Sequence, residues 1–596
     1  MILRIIRAFL ETEYRKIETF LCVLCVLCGL SFAVDREAFT FTEYNLTAKI
    51  DPGFHVLRSM GTVTLRNDSD KPQHLAVLQI SSSLQWESIR LLPVVSTDSN
   101  PAAPTEKEKS SGKLLQYLVQ RYTSDIDHTG ELAEAIVTLP ADVATHGSIQ
   151  LQIAYSGVIE PSSGRWDRVG LPKDSSQRND WDRISEDFTG VRGFGYVVWY
   201  PVATESASVS DQAGYGETFS RFKARHAATN FWLRACAQTA SARLKLISNG
   251  TPRTRPPSTT DSTCQDFSFS PLGAQIPSLI VAPLTRLDTD SLQIWHQPKD
   301  GEVAKLYVEA ARAVRPLVTD WFGEPRSLPI LVELSDPAWA PFESGTMFFT
   351  GLQAVPASAL QMAMVHLATH TALPSDRLWI FEGVAHFAQA LEREQQAGRP
   401  SAISFMQQQY AALAQIDKDA DPNRSLITTY DELLFRTKGM AVFWMLRDLV
   451  GDTALQAALK KYDAAEDKEP SYFQKLLEAE SKKDLEWFFD DWVYRDRGLP
   501  DFKVDSVYTR QILHGGYLAT VTVENLGGSA AEVPIAVHFE HGDIRQRLVV
   551  KAHEKASARV EVATPPLEVT ANDGSIPESD TSNNTFTVPS SPSPSQ

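Results

Sequence analysis

The chain has 596 residues, enough for several domains, and its 43% hydrophobic and 22% charged content excludes a disordered or collagen-like polymer. Its 57 basic residues are outnumbered by 74 acidic ones, for a net charge of −17, and no basic stripe with interleaved aromatics relieves that excess. No nucleic-acid partner is expected.

Residues 1–33 read as an export signal. Arg4, Arg7, Arg15 and Lys16 precede the apolar run FLCVLCVLCGLSFA, which closes on the small residue Ala33. That run has 14 residues, whereas a membrane-spanning helix needs about 20, so cleavage after Ala33 and no stable span afterwards are expected. Cys22, Cys25 and Cys28 each follow a leucine, which argues against a lipid anchor. Removing the signal leaves Cys236 and Cys264. In an oxidising compartment the two can form a disulfide, the alternative being two buried thiols.

Residues 34–286 are dominated by alternating runs such as FTEYNLTAKIDP, MGTVTLRN, HLAVLQI, GSIQLQIAYSGVI and GYVVWYPV. Period-two alternation punctuated by Asn, Gly, Pro and Asp predicts an antiparallel β-sandwich-like domain. The stretches STDSNPAAPTEKEKSSGK and NGTPRTRPPSTTDST read as exposed loops.

From residue 287 the period turns helical in GEVAKLYVEAARAVRPLVTDWFGEP, followed by the strand LPILVEL, the segment PFESGTMFFTG and a helix bearing two histidines. Residues 375–397 predict a further helix, capped by Ser375 and ended by Gly398. This α-rich part, 287–400, continues through 401–499 in TKGMAVFWMLRDLVGD and DLEWFFDDWVYRDRGLP. The run DKDADPN, from Asp417, imitates a calcium loop, but Pro422 and Thr428 stand where glycine and glutamate are needed, so calcium is rejected. Residues 500–588 return to short strands and predict an immunoglobulin-like sandwich, and the tail 589–596 is too polar to fold. The fold class expected is multidomain α+β.

The chemistry concentrates in MVHLATHTALPSDRLWIFEGVAHF, residues 364–387. His366 and His370 stand at i and i+4 of a helix, so both imidazoles leave one face about 5–6 Å apart at Cβ, the spacing of two zinc ligands. Glu382, on the next helix, adds a carboxylate. Two histidines and a carboxylate make a three-ligand site for one zinc with a fourth position open. Zinc peptidases of the H-E-x-x-H type carry their general base beside the first histidine, and here that residue is Leu367. His386, four residues past Glu382, faces the same way and orients a ligand, joins the metal itself, or is a partly buried histidine bonded to backbone.

With these pieces in order, the chain resembles the zinc aminopeptidase family typified by aminopeptidase N, across nearly its whole mature length. The resemblance is carried by YNLTAKIDP, VVWYPV, VRPLVTDWFGEP, HLATH, WIFEG, TKGMAVFWMLRDLVGD and DLEWFFDDWV, in the family's order. It implies a thermolysin-like peptidase domain at 287–400 and a peptide or protein as substrate or ligand. The ending NDGSIPESDTSNNTFTV resembles bacterial adhesion-like immunoglobulin domains, which implies a periplasmic or extracellular location.

The same resemblance marks departures. Leu367 replaces the glutamate that activates water, a role worth about 10²–10⁴-fold, so hydrolysis is expected to be crippled. The family's G-A-M-E-N segment corresponds to GTMFF from Gly345, which puts Phe348 where a glutamate holds the substrate's amino group. Arg436 stands where the family's oxyanion-stabilising tyrosine lies, and the interval from His370 to Glu382 is shorter than the family's. Glu343 is read as a substitute base and Arg436 as a stabiliser of negative charge, with Tyr430 as another oxyanion donor unless it simply packs. Three functions compete: a zinc peptidase with rewired catalytic groups, a peptidase-fold binding or adhesion module that has lost hydrolysis, and a protein without metal whose histidines merely pack. Leu367 favours the second over the first, and the trio of His366, His370 and Glu382 speaks against the third.

Overall fold

The computed structural model describes residues 34–93, 112–238, 244–253, 264–416, 425–513 and 515–589. The export signal, most of the first polar loop, the calcium-like run and the tail from 590 lie outside the described residues.

The strand Phe39–Asp51 pairs antiparallel with Val56–Asn67 and parallel with Asn230–Ala237. The eight-stranded sheet built around it runs in the spatial order Thr251–Arg253, Cys264–Phe269, Asn230–Ala237, Phe39–Asp51, Val56–Asn67, Ser148–Val158, Leu84–Leu91, Lys113–Leu114. It is therefore mixed, which corrects the antiparallel expectation. The long excursion between Asp51 and Asn230 includes a helix, Gln212–His226, and supplies the crossover that parallel neighbours require. Thr251–Arg253 corrects the second polar stretch, whose beginning is strand rather than loop. A three-stranded sheet, Gln73–Ser81, Glu131–Val143 and Gln116–Thr123, shares the same core through Leu78, Ile80 and Val137. Cys236 and Cys264 are direct cross-strand partners in the large sheet and are joined by a disulfide.

A five-stranded sheet joins this β region to the helices, in the order Thr285–Asp288, Gln293–His296, Ile330–Glu333, Met347–Thr350, Phe342–Ser344. Side chains on a strand alternate between faces, and here the two faces belong to different cores. Val332, Met347 and Phe349 pack into the N-terminal β core, whereas Leu331 and Phe348 join the core of the helical region. On the helical side, Gly301–Phe322 packs along Ala357–Ala372, which packs along Leu378–Ala397. Ser375 does not cap this last helix. Its hydroxyl accepts from the Arg377 amide at 3.1 Å and meets the Tyr462 hydroxyl at 2.8 Å, so the helix begins at Leu378.

Glu333 ends its strand buried beneath Gln297, whose backbone and side-chain N–H groups donate to it at 2.6 and 3.0 Å. Burial, with the Asp300 carboxyl alongside, pushes Glu333 up to about 8. The native state thus keeps a proton that the unfolded chain has released, and this contribution to stability is full below about pH 4.5 and is lost as pH rises to about 8. Glu333→Gln keeps an acceptor for Gln297 and offers an amide N–H to Asp300. Its melting temperature is expected to fall less between pH 5 and pH 8 than that of the wild type, and equal pH dependences would refute this account.

The C-terminal region folds as two antiparallel sheets of three and four strands, from Phe502–Gln511 to Thr585–Thr587. Its inward residues, among them Val521, Val533 and Ile535, are continuous with the helical core. Trp492 Nε1 donates to the Ala530 carbonyl at 2.7 Å and Ser529 Oγ to that of Gly498 at 2.5 Å, so the junction is packed and hydrogen-bonded. Among the described residues no helix is long and apolar enough to cross a membrane.

Candidate metal centre

The centre forms where the edge strand of the five-stranded sheet meets two helices. Strand Phe342–Ser344 turns back on Met347–Thr350 through a two-residue loop, with Glu343 opposite Phe348. A loop this short needs a left-handed residue, and Gly345 takes φ 63°. The turn brings Glu343 against the helix Ala357–Ala372, from which both histidines project. The Nε2 atoms of His366 and His370 lie 3.1 Å apart, and the Glu343 carboxylate oxygens are 3.5 and 3.6 Å from them. One donor atom from each of the three residues falls within 4.8 Å of the others.

Glu382 approaches from the other side, 3.9 Å from His366 Nε2. Its position depends on two glycines. Leu378–Ala397 crosses the segment Leu434–Lys438 and the helix Gly439–Val450 so closely that a Cβ on Gly383 would sit 3.0 Å from the backbone of Gly439. That approach brings Arg436 Nε within 3.3 Å of the Glu382 carboxylate, while its Nη1 meets Glu432 at 2.5 Å. The Arg436 charge is thereby committed to two carboxylates. His386 lies with its ring centroid 5.0 Å from that of His366 and its Nε2 4.0 Å from Glu382.

The electrostatics suit a cation. Burial pushes His366 down to about 3 and His370 to about 4, so both are neutral and have a lone pair free at neutral pH. Burial and the neighbouring Glu382 charge push Glu343 up to about 8. Burial alone would raise Glu382 too, but Arg436 and the histidines outweigh it and hold that carboxyl well below the usual range. Among the described residues, Glu343 Oε1 is buried without a hydrogen-bond partner, as are the Nδ1 atoms of both histidines. A protonated carboxyl beside two neutral imidazoles can exchange its proton for a metal ion, so the donor set fits zinc. The orphaned Nδ1 atoms are less favourable, because ligating histidines usually donate that N–H to a fixed acceptor.

Leu367 is 1% exposed, belongs to the hydrophobic core and has no proton-accepting group. Beside the donors opens a cavity of about 400 Å³, lined among others by Glu343, Phe348, Glu382, Phe435 and Arg436. Tyr430 is not among its lining residues. The far wall is the helix Gln212–His226, which contributes Tyr215, Phe219 and Lys223. This wall was not anticipated from the sequence. Its one local signal was Asp211, whose carboxylate accepts from the Gly214 amide at 3.0 Å as a helix cap.

No protein-family model matches the chain, and no curated protein does. Solved structures do. It is similar to Legionella pneumophila aminopeptidase A, solved with aspartic acid, at a TM-score of 0.57 and 12% identity over 91% of this chain. The chain spans 59% of that protein's length. The chain has an aminopeptidase fold. A Deinococcus radiodurans M1 zinc metallopeptidase mutant, solved with a Tyr-Ser-Ala substrate, aligns at a TM-score of 0.46 and 16% identity, over 77% of this chain and 94% of that one. Within this fold, the two-histidine helix, the Glu382 helix and the Glu343 strand converge on one cleft.

Proposed function

We propose that this chain is an exported zinc-binding protein of aminopeptidase fold whose cleft holds peptide ligands and in which hydrolysis is weak or lost. The observation that carries the reading is the convergence of Glu343, His366 and His370 within 4.8 Å, beside a Leu367 sunk in the core. Zinc at such a site would polarise a carbonyl or water oxygen. The chain's own residues provide little proton transfer to go with it. Leu367 has no acceptor, Glu382 is pinned by Arg436, and Glu343 serves in this reading as a ligand rather than as the free base expected from the sequence. Glu382, expected from the sequence as the third ligand, lies outside this cluster, with its carboxylate 3.9 Å from His366 Nε2 and paired with Arg436.

The Cys236–Cys264 disulfide supports export to an oxidising compartment, periplasmic or extracellular. The two antiparallel sheets of residues 500–588 support an immunoglobulin-like reading of that region. The test is hydrolysis of amino-acid anilides and short peptides by protein supplied with zinc and by the same protein after chelation. Equal, background rates are expected, and robust zinc-dependent turnover would overturn the loss of hydrolysis.

A further inference from the structure

Among the described residues, Lys223 is the one cation lining the cavity that is not committed to a carboxylate. It rises from the helix Gln212–His226 into the cavity, partly buried, with its Nζ 4.7 Å from the centroid of the Phe219 ring. Among the described residues no carboxylate comes within ion-pair distance of it. Arg436, across the cavity, is already shared between Glu382 and Glu432.

The charges that face Lys223 are those of Glu382, Arg436, Glu432 and Glu343. Arg436 is paired with Glu382 and Glu432, which among the described residues leaves the Lys223 ammonium as the cavity-lining cation able to meet an incoming anion. Burial also lowers the lysine's pKa, the sign of an ammonium group short of compensation. Around it the walls are aromatic: Tyr196, Tyr215, Phe219, Phe348 and Phe435.

We propose that Lys223 makes this cavity a receptor for the carboxylate of a ligand with an apolar or aromatic body, such as the C-terminal end of a short peptide. The inference rests on the reading of this cleft as one that holds peptide ligands. The ammonium supplies a charge-assisted hydrogen bond to the anion, and the rings cover the ligand's body.

Calorimetric titration of the full chain lacking residues 1–33 tests this, with 3-phenylpropionate, 3-phenylpropionamide and 2-phenylethylamine as probes, on chelated and zinc-supplied protein. The acid is expected to bind about tenfold to a hundredfold more tightly than the amide. Lys223→Met should erase that preference while leaving the amide's affinity and the melting temperature unchanged, and Lys223→Arg should retain it. Equal binding of acid and amide, preference for the amine, no binding of the acid at millimolar concentration, or an acid preference that survives Lys223→Met would each overturn the proposal. Metal content measured on the same samples separates the two readings. Zinc bound without acid preference leaves the metal site standing and removes the anion site, whereas a Lys223-dependent acid preference in protein that takes up no zinc does the reverse.

Discussion

Leu367→Glu is expected to raise anilide hydrolysis by the zinc-supplied protein about 10²-fold or more above a wild type near background, the lower end of what a positioned general base contributes. The substitution places a carboxylate one residue after His366, where zinc peptidases of this type carry their base. The cost is in stability. Leu367 is packed in the core, and exchanging a buried leucine for a carboxylate removes apolar contacts and buries a polar group, so the variant should melt well below the wild type and is best assayed cold. If the variant binds zinc, stays folded and remains at background, the absent base is not what silences the site, and the apolar Phe348 and the committed Arg436 become the limiting changes.

Asp180→Ala is expected to cost about 3–5 kcal/mol of folding stability, read by chemical denaturation. Asp180 is wholly buried and binds Arg165, itself 3% exposed, through Nε at 2.7 Å and through Nη2. Trp166 Nε1 donates to the same carboxylate at 2.6 Å, and Arg192 lies 3.8 Å away in a pair of its own with Asp182. Deleting the carboxylate strands the Arg165 guanidinium in the interior, and an unpaired buried charge is more damaging than the loss of a surface pair. The damage should reach the cleft, because Arg165 Nη1 also donates to the Tyr215 hydroxyl at 2.9 Å and Tyr215 lines the cavity wall. A loss of under about 1 kcal/mol, the range of an exposed pair, would contradict this role.

What the sequence disclosed was what local spacing can encode. His366 and His370 could be placed on one helix face because i and i+4 share a face whatever the surrounding fold, and the structure brings their Nε2 atoms 3.1 Å apart. The glycines of WIFEG and TKG were visible as letters, but their reason is a helix crossing in which a Cβ on either would press to 3.0–3.1 Å from the other's backbone. Glu343 was legible only as a candidate base. Its nearness to both imidazoles depends on a hairpin at the sheet edge, and no spacing within PFESG reports it. Parallel pairing of Phe39–Asp51 with Asn230–Ala237 was hidden for a similar reason, since strand alternation is the same in either direction. The helix Gln212–His226 escaped notice because its sequence is polar and weakly patterned, so its apolar ring contacts, Phe194 with Phe222 at 3.7 Å among them, had to be seen in space.

The central claim is that the Glu343, His366 and His370 cluster holds a metal ion. Elemental mass spectrometry on protein lacking residues 1–33, purified without chelators, tests it most directly when wild type, His366→Ala and Glu343→Gln are measured together. About one zinc per chain is predicted for the wild type, none for His366→Ala and a strongly reduced content for Glu343→Gln, all three remaining folded. A wild type that carries no metal and takes up none on dialysis against zinc would contradict the account, leaving the two histidines as packing residues of the fold.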